Sequence, residues 1–196
     1  MTASNALTSI AVFCGASQGF DTGHAVAARA LGKTIAEREM RLVYGGSDRG
    51  LMGEIADSAL AHDGEVIGVI PSALVHHEIA HNGLTELRVV DSMHDRKLEM
   101  AAAADGFIAM AGGFGTLDES FEALTWTQLG IHQKPLGFLN VDGYFDLLLQ
   151  FMDQQVAAGF VKAAHREMIV HANNVDDLID AMQRQHIPNT GKWVKP

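Results

Sequence analysis

Cysteine is nearly absent: Cys14 is the only one in 196 residues, so no disulfide can close within the chain and a reducing compartment fits. Cationic charge is scarce as well. Fourteen Lys and Arg face 24 Asp and Glu for a net charge of −10, and no basic run occurs, which argues against a nucleic-acid groove. No apolar run approaches the length that spans a bilayer. Residues 1–9 carry neither the basic nor the apolar region of a signal peptide, so the expectation is a soluble, cytoplasmic protein. Prolines number only four, against 20 glycines and 47% apolar residues. That composition is ordinary for a globular α/β chain long enough to cover both faces of a sheet.

Short β-branched runs alternate with helical stretches along the chain, the pattern of a parallel sheet wrapped by helices in one domain over residues 1–196. Strands are predicted at Ser9–Cys14, Arg41–Tyr44, Glu65–Ile70, Glu86–Val90, 106–110, Lys134–Asn140 and Glu167–Val170. A helix over 22–39 would gather Ala28, Leu31 and Ile35 on one face. The next would gather Leu51, Ile55 and Ala59, and a third runs over 93–104. The polar tail at 188–196 reads as loose.

The most informative stretch is Ala111-Gly-Gly-Phe-Gly-Thr-Leu-Asp-Glu119. An apolar strand ends in glycines that open straight into an amphipathic helix, so backbone N–H groups and the positive end of a helix dipole converge on one point, which suits a phosphate. It is neither a dinucleotide fingerprint, since Asp118 stands where a third glycine is required, nor a Walker loop, since no Gly-Lys-Ser/Thr occurs. Thr116 and Glu119 also have the spacing of a capping box, in which they serve the helix end alone. Both readings stay open on this segment. Two further loops of small residues, Cys14-Gly-Ala-Ser17 and Gly45-Gly-Ser47, also follow strands. Three such loops on the carboxyl rim of an open parallel sheet point to a ligand crevice, which makes Ser17, Gly45, Gly46, Gly112, Gly113 and Gly115 binding candidates.

Ser92-Met-His-Asp-Arg-Lys97 starts the helix before the glycine loop. Ser92 and Asp95 have N-cap and N3 spacing. Arg96 and Lys97 oppose the dipole there, and either an anion at the strand ends or plain solvation would account for them. His77-Glu-Ile-Ala-His81 matches the H-E-x-x-H zinc pattern, but it lies in a short segment with no evident third ligand, so no metal is expected. Cys14 reads as a small buried residue, because no acidic–His pairing argues for an activated thiolate. Phe121, Leu124 and Trp126 to Leu129 read as core or subunit contact.

Taken together these motifs closely resemble the Lonely Guy (LOG) family, the cytokinin riboside 5′-monophosphate phosphoribohydrolases. The resemblance runs from about Ile10 to Val170. It rests on Val12-Phe-Cys-Gly-Ala-Ser17, Val43-Tyr-Gly-Gly-Ser-Asp-Arg-Gly-Leu-Met-Gly53, Met93-His-Asp-Arg-Lys97, Gly112-Gly-Phe-Gly-Thr-Leu-Asp-Glu119, Leu129-Gly-Ile-His-Gln-Lys-Pro135 and Asn140-Val-Asp-Gly-Tyr144. It implies a Rossmann-like fold, a homodimer, and hydrolysis of the N-glycosidic bond of an N6-substituted adenine nucleotide, with AMP as a further candidate substrate. Free base and ribose 5-phosphate would be the products, and no cofactor would be required. Arg96 and Glu119 fall on the family's catalytic pair. Lys97, the Gly112–Thr116 loop and Thr125 match nucleotide-binding positions, Glu78 matches a substrate-binding glutamate, and Met93 opens the arginine motif. Two positions depart from the pattern: Ala111 replaces a usual proline and Ser47 a usual third glycine. Alanine is expected to loosen the start of the loop, and serine to place a hydroxyl where backbone approaches substrate. Two other readings remain: a nucleotide sensor of the same fold that does not hydrolyse, and a lysine decarboxylase, whose pyridoxal phosphate finds no supporting residue context.

Overall fold

Runs such as Ile10 to Phe13 and Val66 to Ile70 contain no charge and can persist only where both sheet faces are covered. In the computed structural model, which describes residues 7–75 and 80–187, they form interior strands of a seven-stranded, all-parallel sheet. Its strands are β1 (Ser9–Phe13), β2 (Arg41–Tyr44), β3 (Val66–Pro71), β4 (Glu86–Val90), β5 (Gly106–Ala109), β6 (Leu136–Leu139) and β7 (Ile169–Ala172). The helices are α1 (Thr22–Glu37), α2 (Gly50–Ala61), α3 (Met93–Ala103), α4 (Phe114–Leu129), α5 (Asp146–Ala157), α6 (Ala163–Arg166) and α7 (Val175–Arg184). The strand order is β4-β3-β2-β1-β5-β6-β7. The chain thus winds outward from β1 to β4, then returns to the far side of β1 and winds outward again. That reversal leaves a crevice at the carboxyl ends of β1 and β5, the place where such Rossmann-like sheets bind ligands.

Alternating side chains of the central strands feed two cores. On one face Ile10, Val12, Leu42 and Tyr44 meet Ala28, Leu31 and Ile35 of α1, Leu51, Ile55 and Ala59 of α2, and Leu178 and Met182 of α7. On the other, Ala11, Phe13, Val43, Phe107 and Phe138 meet Met100 of α3, Ala123 of α4, and Leu149 and Met152 of α5. Gly32 lets α1 and α2 touch, because a Cβ there would overlap the carbonyl of Ile55. No described helix is long and apolar enough to cross a membrane.

The element types match the sequence expectation, and the shifts lie at ends. β7 begins two residues later than expected because Ala163–Arg166 forms a short helix with Glu167 as its αR C-cap. β6 is shorter than Lys134–Asn140: the amide of Lys134 turns onto His132 Nδ1 (3.3 Å) and Asn140 leaves the strand to serve the next turn. The tail at 188–196 lies outside the described residues.

Asp105 fixes the amino ends of the two strands that flank the crevice. Its Oδ2 accepts from the amides of Thr8 (2.9 Å) and Ser9 (3.0 Å) and from both hydroxyls (2.7 and 3.1 Å). Burial alone would raise its pKa, but these four bonds outweigh it and hold the carboxyl below its usual value. A group of that kind stabilises the fold above its unfolded pKa of about 3.9 and loses the effect as pH falls through the lower folded value. Asp105→Asn, which keeps the shape and removes the charge, is expected to cost about 1–2 kcal/mol in urea unfolding at pH 7. The gap from wild type should narrow as pH falls below about 3.9 and on through the lower folded value, and a gap that does not narrow over that fall would show that the charge is not the source.

Candidate active site

Three loops at the carboxyl ends of β1, β2 and β5 meet around a cavity of about 260 Å³. Gly15 and Ala16 come from the first, Gly45 from the second, and Gly113, Gly115 and Thr116 from the third. The loops are bound to one another: the Gly15 amide donates to Ala111 O and the Leu51 amide to Gly15 O, both at 3.0 Å. Gly112 is needed for close approach, since a Cβ there would overlap Thr116 Oγ1 and come within 2.9 Å of the Gly15 amide nitrogen.

The helix α4 starts at Phe114, with Gly113 as its N-cap and no side-chain cap. This corrects the capping-box reading. Thr116 is the third helical residue and is buried, while Glu119 lines the cavity. The first-turn amides have no intrahelical acceptors and no capping side chain, so the helix start offers backbone donors and a positive dipole end to an anion. Glu119 follows one turn further on, about 5 Å along the axis, and helical side chains lean back toward the N-terminus. Its carboxylate therefore reaches toward whatever the helix start holds.

The spacing of Ser92 and Asp95 does form the expected cap: Ser92 Oγ accepts from the Asp95 amide (3.1 Å) and donates to its carboxylate (2.6 Å). That cap sets the rotation of α3. Arg96 then turns inward, only 5% exposed, with Met93 Sδ 3.9 Å from its Nη1. Its guanidinium lies over Gly45, where a Cβ would overlap Nη2. Lys97, one residue or 100° round the helix, turns the other way. Its Nζ lies 3.1 Å from both Asp118 and Glu122 on α4, and it is not among the residues that line the cavity. Burial opposes the Lys97 charge, but the two carboxylates outweigh it and hold its pKa above the usual lysine value.

Met52, Met93, Met100 and Val12 make the rest of the wall, with Cys14. Burial, then the charge of Glu119, pushes the Cys14 thiol far up, only partly offset by Arg96. The thiol is neutral at pH 7 and acts as a small wall residue. Cys14, Glu119 and Arg96 all line the same cavity.

Other sequence candidates stand elsewhere. Ser17 and Gly112 line a neighbouring cavity with His24 and Tyr144. Gly46 adopts φ +77° beneath Ile70 and Leu87, and its carbonyl accepts the His81 amide (2.9 Å). Thr125 lies two and a half turns from Thr116 and bonds to Phe121 O (2.7 Å), between Phe121 and Trp126 on the outer side of α4. Ser47 is fully buried and takes the Arg49 amide on its Oγ (3.2 Å), so its hydroxyl serves the turn and does not line the cavity. Glu78 and His77 lie outside the described residues; His81 Nε2 sits 3.0 Å from Asp57 Oδ1. Among the described residues no group of three metal-ligating side chains occurs. Gly45 as the seat of Arg96 and Tyr144 as a partner of the glycine loop were not legible from motif spacing, because both contacts join distant segments.

Residues 52–182 match a family model described as "possible lysine decarboxylase". That description implies pyridoxal phosphate held on a lysine. The lining residues include none, and Lys97 is held by α4 carboxylates, so the site does not fit that cofactor. A cytokinin riboside 5′-monophosphate phosphoribohydrolase of Arabidopsis thaliana is 47% identical over 176 residues, 89% of this chain and 81% of the relative. A probable cytokinin riboside 5′-monophosphate phosphoribohydrolase of Oryza sativa subsp. japonica is 46% identical over 179 residues, 91% of this chain and 78% of the relative. Among solved structures, the molybdenum cofactor carrier protein of Chlamydomonas reinhardtii superposes with TM-score 0.69 at 24% identity, covering 90% of this chain and 96% of that one. The molybdenum cofactor binding protein of Rippkaea orientalis gives TM-score 0.68 at 24% identity, covering 90% and 95%. At that identity the two structures speak to the fold alone. Long matches at nearly half identity do more, and with them the chain belongs to the LOG family of cytokinin riboside 5′-monophosphate phosphoribohydrolases.

Proposed function

We propose that this protein hydrolyses the N-glycosidic bond of cytokinin riboside 5′-monophosphates. One observation carries the reading: a helix start without a side-chain cap, a carboxylate one turn along it, and a buried arginine share one cavity. The 5′-phosphate docks on the amides of Gly113 to Thr116. The ribose then lies beside Glu119 and the base toward Met93 and Met52. Cleavage breaks the C1′–N9 bond, and its electron pair leaves on N9, which takes up a proton. Positive charge builds on C1′ and the ring oxygen, water supplies the new C1′–O bond, and the water's proton is lost. Free base and ribose 5-phosphate result. Glu119 stabilises the developing cation, holds ribose hydroxyls or receives the water proton, and Arg96 balances charge at phosphate or leaving base. The residues present can carry out each of these steps without a cofactor.

A cavity of about 260 Å³ is small for a whole nucleotide, so the base extends toward the surface. Phe114, Leu117, Phe121 and Trp126 line one open face of α4, which supports a homodimer, and sedimentation velocity would give its mass. A cytoplasmic setting suits a chain with one thiol, kept buried and neutral.

The direct test is chromatography of reactions with isopentenyladenosine 5′-monophosphate and AMP in parallel. Release of base from the first establishes the activity, and the ratio of rates sets the preference. Tight binding of both nucleotides with no base released would make the protein a sensor instead.

A further inference from the structure

The segment Asn140 to Tyr144 belongs to none of the steps above, yet it is built as a rigid knot. Asn140 is buried; its Oδ1 accepts the Phe145 amide (2.7 Å) and its Nδ2 donates to Asp146 Oδ1 (2.7 Å). Within the turn Asp142 adopts φ +52°, a conformation that costs energy for a residue with a side chain. The knot holds Tyr144 between the edges of His24 and Phe145, with ring centres 5.3 and 5.0 Å away. Its hydroxyl donates to the carbonyl of Gly112 at 2.6 Å.

We infer that Tyr144 is a positioning residue for the phosphate loop, acting through the Gly112–Gly113 peptide. The argument rests on the reading of that loop as the 5′-phosphate seat. A trans peptide is planar, and its C=O and N–H point in opposite directions. Tyr144 and Gly112 line the neighbouring cavity, Arg96 and Glu119 line the other, and Gly113 lines both. By holding the Gly112 carbonyl there, it turns the Gly113 N–H toward the cavity that Arg96 and Glu119 line. The constraint matters because both flanking residues are glycines. A flip of this peptide carries Gly113 from φ −96° to positive φ, which costs glycine almost nothing. The flipped peptide would aim a carbonyl oxygen at the anion where a donor is needed. Tyr144 removes that alternative before the substrate arrives.

Tyr144→Phe keeps the ring contacts and removes only the hydroxyl. Calorimetric titration with ribose 5-phosphate should show about tenfold weaker binding, the usual effect of one lost hydrogen bond. With isopentenyladenosine 5′-monophosphate, KM should rise by a similar factor while kcat changes less than about threefold, and the melting midpoint should stay within about 2 °C. In ¹⁵N spectra the Gly113 amide should respond to ribose 5-phosphate in wild type and far less in the variant. Equal affinity of the two proteins for ribose 5-phosphate, or a loss of kcat with unchanged affinity, would overturn the inference. Wild type that binds ribose 5-phosphate but releases no base would end the hydrolase reading and leave this test intact. Wild type that does not bind ribose 5-phosphate would end the phosphate-seat reading and this inference together.

Discussion

Glu119→Gln is expected to lower base release by about 10²–10³-fold, the range seen when one group aimed at developing charge is removed. Glutamine fills the same volume and still offers an acceptor oxygen, so the cavity and its wall of Met52, Met93 and Met100 should survive. What disappears is the negative charge beside C1′. The kinetic pattern separates the roles open to Glu119. A carboxylate that acts only on the transition state costs kcat and leaves KM near wild type, whereas one that also holds ribose hydroxyls raises KM as well. Ribose 5-phosphate affinity should change little, because the phosphate is held by the start of α4. Turnover within about threefold of wild type would remove Glu119 from the chemistry.

Much of this arrangement is local and was therefore readable along the chain. A strand ending in glycines and opening into a helix is a contiguous feature, so the Gly112–Thr116 loop and the position of Glu119 one turn on could be placed from spacing. The cap of α3 is equally local, since Ser92 and Asp95 are three residues apart. What spacing does not carry is rotation and long-range contact. Arg96 and Lys97 are neighbours in sequence, yet 100° of helix puts one in the cavity and the other against Asp118 and Glu122. Thr116 looked like an N-cap because its residue type suits one, but the start of α4 is decided elsewhere. Gly15 holds Ala111 O, Tyr144 holds the Gly112 carbonyl, and the helix begins at Phe114. Likewise, Ser47 in place of a third glycine suggested intrusion on the substrate, while the fold spends its hydroxyl on the Arg49 amide.

Gly45→Ala should abolish most activity without harming the fold, and it isolates the placement of Arg96 from its presence. A Cβ at Gly45 would overlap Arg96 Nη2 and approach Met52 Sδ to 2.8 Å. The three nearest atoms all belong to the outer parts of two long side chains, and Gly45 is not among the glycines with positive φ. The backbone therefore accepts alanine, and the loss of glycine freedom in the unfolded chain offsets part of the strain. The expected change in urea stability is within about 1 kcal/mol. The arginine, however, must leave its seat over β2, and its charge then no longer lies where phosphate or leaving base requires it. Turnover should fall by about 10²-fold, comparable with Arg96→Ala. The double variant discriminates further. If both changes act through the same guanidinium, Gly45→Ala adds almost nothing in an Arg96→Ala background, and the free-energy effects of the two fail to sum. Additive losses would mean that Gly45 contacts substrate directly, and a single variant as active as wild type would show that the position of the Arg96 charge is immaterial to turnover.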